Sequence, residues 1–284
     1  MIFSAEDHLN TLVSIAAVLA GSKVKISGSS RVTPFDTYSN TPFTKRWILK
    51  QLTRLVMWRA DALTCVSQGT VDEYKQVFDN PRHVCVYNIV DDAHSRSRMV
   101  EPLDHPWFKN KSCPVLVAAG RLAHWKGYED LIHAMKVLSV KRHARLIILG
   151  DGPDREKLQN LIDQLNLSKN IQLLGYVENP LKYFSSGDLF VHSAHVESLG
   201  NVLVEAMMCG CTPVSTDCPT GPREVLQNGR YGYLVPMRDP VAMSAAIERA
   251  LDAPIPKSLL DEAVEPFEES RVINRHFAVL GLQG

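Results

Sequence analysis

Short apolar runs alternate with amphipathic stretches along the whole chain. Val115 to Ala119 (V-L-V-A-A) and Leu146 to Leu149 (L-I-I-L) carry no polar residue and suit strands covered on both faces. The stretches between such runs are amphipathic, as surface helices are. This is the pattern of βα units wound into parallel sheets. In the first part it predicts a strand at Ile2 to Ser4, a helix at Leu9 to Leu19, a strand at Lys23 to Ser27, a helix at Lys45 to Trp58, a strand at Ala62 to Val66, a helix at Thr70 to Val77 and a strand at Val84 to Tyr87. In the second part strands are predicted at Val115 to Ala119, Leu146 to Leu149, Ile171 to Leu174, Leu189 to Val191, Thr212 to Val214 and Gly232 to Val235, with helices between them and a last helix at Pro266 to Leu280. The region from Asp91 to Lys111 is charged, lies near Pro102, Pro106 and Pro114, and has little periodicity, which marks a linker. The predicted organisation is a first domain at 1–98, a linker at 99–112, a second domain at 113–265 and a closing helix at 266–284.

Composition narrows the classes of partner. The 284 residues give room for two domains, and 31 basic residues balance 31 acidic ones. No basic stripe interleaved with aromatics points to nucleic acid. Six cysteines occur without a C-x-x-C spacing, and Cys209, Cys211 and Cys218 sit in apolar or turn context, which favours buried free thiols in a reducing compartment. The start is acidic, and the apolar run from Leu12 to Ala20 is interrupted by Ser14. Neither a signal peptide nor a membrane span fits, and a cytoplasmic location is expected.

The most informative stretch is Ser193 to Glu205, S-A-H-V-E-S-L-G-N-V-L-V-E. It follows a predicted strand and opens a helix running through Ala206 and Met207. Backbone amides around Ser198, Leu199, Gly200, Asn201 and Val202 can hold a diphosphate at that helix start. Glu197 and Glu205 bracket the turn, and carboxylates accept hydrogen bonds from vicinal hydroxyls, so one suits a hexose and the other a ribose. The implied ligand is a nucleotide sugar. The plainer alternative is one carboxylate facing a helix dipole and another on an exposed helix face. Arg121 and Lys126, after a strand ending at Gly120, are placed to converge on a pyrophosphate; the alternative is two solvated loop cations.

Five ordered elements carry a family resemblance. The Glu-x7-Glu pair, V-L-V-A-A-G-R-L-A-H-W-K-G (Val115 to Gly127), L-I-I-L-G-D-G-P (Leu146 to Pro153), P-V-S-T-D-C-P-T-G-P-R-E-V-L (Pro213 to Leu226) and G-Y-L-V-P (Gly232 to Pro236) resemble the motifs of family 4 retaining glycosyltransferases. The resemblance is dense over residues 113 to 250. It implies an α/β fold of GT-B type with two Rossmann-like domains, the N-terminal one incomplete, because the two or more βα units and Gly-rich loop that open it in the family have no counterpart here. It implies a UDP-sugar donor, a glycan or lipid-linked acceptor and no cofactor; no metal is expected either, because the sequence has no D-x-D motif and Arg121 with Lys126 can supply the charge neutralisation. Arg121, Lys126 and Glu197 are then the catalytic candidates, acting by a front-face route that needs no protein base. Gly120, the Ser198 to Val202 turn, Glu205, Tyr176, Val177, Gly150 and Gly152 are the donor-binding candidates, with Tyr176 and Val177 where the family's base pocket lies.

The remaining features are more equivocal. His192 and His195 flank the donor motif, and Gly221 to Glu224 shapes a turn. Arg31 and His8 are candidates at strand ends of the first domain. The segment Thr44 to Arg59 combines Lys45, Arg46, Lys50, Arg54 and Arg59 with Trp47, Leu49, Leu52, Leu55 and Trp58, which suits either an anionic membrane surface or an ordinary packed helix. Three readings stand at this point: a metal-independent hexosyltransferase, a nucleotide-sugar-binding subunit or truncated transferase completed by a partner, and a GT-B-fold epimerase or phosphorylase.

Overall fold

The computed structural model describes residues 1–78 and 82–282. The chain divides into two compact units, Met1–Ile89 with Glu269–Gly284, and Val90–Glu268.

The first unit holds a parallel sheet in the order β1 (Ile2–Ala5), β2 (Ile26–Ser30), β3 (Ala62–Cys65), β4 (His83–Cys85). Helices Asp7–Leu19, Lys45–Arg59 and Gln68–Val77 connect its strands. Thr44 and Ser67 cap the last two by accepting the amides of Trp47 and Thr70. Strand β2 begins three residues later than its sequence predicts. It reads I-S-G-S-S, and its small side chains make room for Asn10 of the first helix. A Cβ on Gly28 would stand 3.2 Å from Asn10 Cγ. Asn10 Nδ2 donates to the Ser29 carbonyl at 3.0 Å, and Ser4 Oγ donates to Asn10 Oδ1 at 2.7 Å. The cost of burying these polar groups is offset by their pairing.

A second polar cluster centres on Asp7. Its Oδ1 accepts Ser30 Oγ at 2.7 Å, and its Oδ2 accepts Tyr74 Oη at 3.1 Å and the hydroxyl of Tyr38. Thr53 Oγ1 donates in turn to Tyr38 Oη at 3.1 Å. One carboxylate so ties together four segments of the unit. The closing helix begins at Glu269, after a short 3-10 turn at Glu265–Phe267, and belongs to this unit. His276 meets the Phe3 ring edge-on at 5.8 Å, and Lys25 Nζ donates to the Leu280 carbonyl at 3.0 Å.

The second unit carries six parallel strands: β5 (Val115–Ala119), β6 (Arg145–Leu149), β7 (Ile171–Gly175), β8 (Leu189–His192), β9 (Thr212–Thr216) and β10 (Tyr233–Val235). Their order is β10-β9-β8-β5-β6-β7. Leu116, Leu131, Ile132, Leu146, Ile148 and Ile247 are wholly buried in its core, which explains the unbroken apolar strand sequences. Residues 99–112, expected as a linker, lie inside this unit, and the division falls between Ile89 and Val90. The charges and prolines of this region make local structure instead. Asp92 caps Ala93–Arg98 by accepting the Ser95 amide at 2.6 Å, Pro106 starts a short helix, and Lys111 pairs with Asp188 at 3.0 Å.

His83 on β4 is buried, packs its ring 4.0 Å from that of Tyr74, and neither ring nitrogen has a hydrogen-bond partner among the described residues. Burial, assisted by the charge of Arg82, lowers its pKa to about 4. The folded chain therefore resists a proton that the unfolded chain accepts below about 6.5, so stability is complete above that pH and declines as pH falls toward 4. Urea unfolding of the first unit, followed by hydrogen exchange at the β3 amides, will show a midpoint falling between pH 7 and pH 5. His83→Phe will flatten that dependence.

Candidate functional site

Strand β5 lies at the centre of the second sheet, with β6 on one side and β8 on the other. The chain order reverses there. In open α/β sheets ligands bind outside the carboxyl ends of the strands at such a switch point. The two loops that leave β5 and β8 at this point, Gly120 to Gly127 and Ser193 to Gly200, contain the strongest sequence candidates.

The loops are locked together through their backbones. Ser193 Oγ donates to the Lys126 carbonyl at 2.8 Å, and the His195 amide donates to the Trp125 carbonyl at 2.8 Å. Gly127 has φ +63°, and a Cβ there would stand 2.0 Å from the Ser193 carbonyl oxygen, so only glycine fits. His195 Nε2 lies 2.7 Å from Asp130 Oδ2, fastening the start of the next helix to the same loop. This clamp brings Lys126 and Glu197 face to face: Lys126 Nζ donates to Glu197 Oε2 at 2.6 Å, with each side chain about four-fifths buried (20% and 19% exposed).

His192, the last residue of β8, completes the group. Its Nε2 lies 3.4 Å from Glu197 Oε2 and its Nδ1 lies 3.0 Å from Ser215 Oγ on β9. Thr220 anchors the loop from the other side by donating its hydroxyl to the Glu197 carbonyl. Burial alone would raise the pKa of Glu197, but the hydrogen bond from His192 and the positive charge of Lys126 outweigh it and hold the carboxyl at about 2. Glu197 is an anion with its partners in place.

Glu205 has solved the same problem differently. It sits one turn into the helix Asn201–Met208, is half-buried, and its side chain makes no hydrogen bond or ion pair among the described residues. Burial raises its pKa. A half-buried acceptor without a protein partner suits incoming hydroxyls. The helix is capped by Gly200, in the left-handed region at φ +89°, which brings no side chain to the first turn, and the Leu203 amide donates to the Gly200 carbonyl at 2.8 Å. Leu199 is buried, so the Ser198 to Val202 turn offers a ligand its backbone and the outer side chains of Ser198, Asn201 and Val202.

Arg121 is exposed and forms no hydrogen bond or ion pair among the described residues, which leaves its guanidinium available. The strand-end glycines line up beside it. A Cβ on Gly150, at φ +131°, would stand 2.0 Å from the Gly120 carbonyl oxygen, and the Gly150 amide donates to the Gly175 carbonyl at 2.7 Å. Gly152 faces the Leu122 carbonyl at a corresponding 2.3 Å, so both glycines of the G-D-G-P turn are required by packing whether or not a ligand touches them. Tyr176, four-fifths exposed, follows Gly175, and Val177 borders an open crevice of about 650 Å³ with Arg98, Asn179 and Lys182.

In the first unit, His8 is exposed on the opening helix, and Arg31 is exposed directly after β2. All six cysteines are free, with Cys211 and Cys218 buried and Cys209 partly so. Among the described residues no group of three or more His, Cys, Asp or Glu side chains is placed to hold a metal ion. His192 has one signal in the sequence, a polar residue ending an apolar strand directly before the Ser193 to Gly200 loop, whereas nothing local marks Ser215 or Thr220.

The chain is 28% identical over 242 residues to an N-acetylgalactosamine-N,N'-diacetylbacillosaminyl-diphospho-undecaprenol 4-alpha-N-acetylgalactosaminyltransferase of Campylobacter jejuni, a match covering 84% of this chain and 64% of the relative. To glycosyltransferase MJ1059 of Methanocaldococcus jannaschii it is 33% identical over 232 residues, covering 77% of this chain and 56% of the relative. The chain thus spans roughly six-tenths of the length of these two relatives. Among solved structures, Anabaena Alr3699/HepE in complex with UDP superposes with a TM-score of 0.79 at 18% identity, covering 98% of this chain and 78% of that one. Sucrose-phosphate synthase from Thermosynechococcus elongatus gives a TM-score of 0.74 at 19% identity, covering 98% and 72%. The fold is that of the GT-B glycosyltransferases. The model of the glycosyl transferases group 1 family matches residues 101–265, more than half of the chain and all of the loops described above, and the protein belongs to that family.

Proposed function

We propose that the protein transfers a hexose or N-acetylhexosamine, with retention of configuration and without a metal ion, from a UDP-sugar to a hydroxyl of a glycan or lipid-linked acceptor. The observation that carries this reading is the Lys126–Glu197 pair at the switch point, followed by the glycine-capped helix that carries Glu205, whose carboxylate has no partner among the described residues. Cations for a diphosphate, an anion for sugar hydroxyls and an acceptor for ribose hydroxyls stand within two loops and one helical turn. The UDP complex of the Anabaena neighbour and the undecaprenol-linked substrate of the Campylobacter relative support the choice of donor and acceptor class.

In this reading the diphosphate lies across the start of Asn201–Met208. Arg121 and Lys126 neutralise the charge that grows on it as the sugar leaves. Glu197 holds the sugar, and the departing phosphate oxygen takes the proton of the acceptor hydroxyl. No side chain is asked to act as nucleophile, and the metal's role in other transferases falls to the two cations. Tyr176 and Val177 contribute backbone groups to the base, and Arg31 is the first unit's candidate for a ligand contact.

A second reading has its own observation. Ile2 and Phe3 on the edge strand β1, and Leu9, Leu12 and Leu19 along one stripe of the adjoining helix, are all exposed. A parallel edge beside an uncovered apolar stripe is costly in water. The first unit is then completed by further polypeptide, in the same chain or from a partner, and the residues described here bind donor without turning it over alone.

The Thr44–Arg59 helix supports contact with an anionic membrane. Phe43 (88% exposed), Trp58 (71%) and Ile48 share its outer surface with exposed Lys45, Arg46 and Arg54, and no acidic residue occurs between 41 and 60. Two cations counted toward that face lie elsewhere. Lys50 is buried, donating to Asn40 Oδ1 at 2.7 Å, and Arg59 donates to the Ser22 and Val24 carbonyls. No described helix is long and apolar enough to cross a membrane.

Calorimetric titration with UDP and a panel of UDP-sugars will show binding of both, and turnover with a lipid-linked acceptor extract decides between the two readings. Glu205→Ala will weaken UDP and UDP-sugar alike by about tenfold, whereas Glu197→Gln will weaken the UDP-sugar more than UDP. Equal losses in the two variants would refute this division of labour. Lys126→Ala will slow transfer by about a hundredfold to a thousandfold, the effect of removing one placed charge from a developing anion, and wild-type turnover will survive EDTA. Loss of activity in EDTA would overturn the metal-free route. Sedimentation with phosphatidylglycerol vesicles will carry the protein down at low salt and release it at high salt, with Trp58→Ser binding less.

A further inference from the structure

We propose that His192 is a positioning residue for the transferred sugar: braced by Ser215, it holds the Glu197 carboxylate at the angle and place where the sugar hydroxyls meet it. The inference rests on the reading of Glu197 as the sugar-binding carboxylate.

The ring is only 4% exposed and closes β8, in register with Ser215 on β9. An apolar residue would fill that position at lower desolvation cost, as Val191 and Phe190 do before it. The imidazole instead spans two polar partners, Ser215 Oγ at 3.0 Å and Glu197 Oε2 at 3.4 Å, one through each nitrogen. Ser215 sits within the sheet and cannot follow a moving loop; with its hydroxyl donating to Nδ1, it fixes the ring in the tautomer whose Nε2–H points at the carboxylate.

Lys126 and His192 share the same carboxylate oxygen, Oε2. Their positions differ in what a donor does to them. Lys126 rides on the loop after β5 and has a flexible stem, so a diphosphate competes with Glu197 for its charge. His192 stays buried in the sheet and remains with Glu197 when Lys126 turns to the phosphates. Thr220 holds the backbone of Glu197 and His192 holds its head. Oε1, which accepts the Ser198 amide at 3.3 Å and keeps lone-pair capacity, is thereby presented to the ligand in one orientation, which a carboxylate gripping vicinal hydroxyls requires.

The test compares wild type, His192→Leu and His192→Gln by calorimetry with UDP and with the UDP-sugar that wild type binds best. Wild type will favour the sugar nucleotide over UDP. His192→Leu will cut that preference by about tenfold, the effect of one hydrogen bond to a charged group, while leaving UDP affinity and melting temperature unchanged. His192→Gln, which restores a donor, will recover most of the preference, and Ser215→Ala, which frees the ring, will show a smaller loss. If His192→Leu weakens UDP and UDP-sugar equally with a fall in melting temperature, the residue is structural and the inference fails. If Glu197→Gln abolishes the preference and His192→Leu keeps it, this inference fails while the reading of Glu197 survives. Wild type binding UDP and every UDP-sugar equally would remove both.

Discussion

Everything at the candidate site depends on β5 and β8 being neighbours in the sheet. Leu116 pairs with Leu189 and Val117 with Phe190, although some seventy residues separate them. Two loops far apart in sequence therefore leave the sheet side by side, and the backbone clamp between Lys126, Gly127, Ser193 and His195 leaves little slack between them. A cation at the end of one loop and an anion at the end of the other must then meet. The ion pair is a consequence of strand order, and the glycine at 127 is the condition that lets the loops approach closely enough.

The two glutamates show how one local architecture can give opposite electrostatics. Glu197 lies in the loop before the helix and Glu205 in its second turn, and burial disfavours the charge of each. Around Glu197 the chain supplies Lys126 and His192, and the carboxyl is driven well below its ordinary range. Around Glu205 the described residues supply no partner for the carboxylate. The first carboxylate is organised before any ligand arrives, whereas the second carries an unmet need that a ligand can satisfy. Such a pair is more informative than either residue alone, since a purely structural role would leave neither arrangement incomplete.

Much of this was legible in the amino-acid sequence, for a physical reason. Strands buried on both faces must be apolar throughout, so β5, β6 and β8 announce themselves, and loops that approach a ligand closely need glycine and charge at fixed distances from those strands. Where the energetics are polar, the pattern falls silent. Strand β2 is built from serines and a glycine because Asn10 lies against it, and hydrophobic periodicity places it three residues early. The Asp7 cluster joins residues near positions 7, 30, 38 and 74, and no local spacing reveals it. The charged run at 99–112 reads as a spacer, yet its ion pairs and caps make it part of a folded unit. Lys50 looks like one more surface cation, and only the fold shows it over the ring of Phe78, bonded to Asn40.

The separation of Lys126 from Glu197 along the chain also bears on how the protein comes to be folded. Strands β5, β6 and β7 are consecutive and close only short loops, but β8 must then return past them to pair on the far side of β5. Long-range parallel pairing of this kind is slow relative to local βα closure. A nascent chain that has emerged as far as β7 owns the arginine and the lysine but has no carboxylate to face them. The site cannot exist in a half-built sheet, and the meeting of Lys126 with Glu197 becomes a signature of a second unit whose central strand pair has closed.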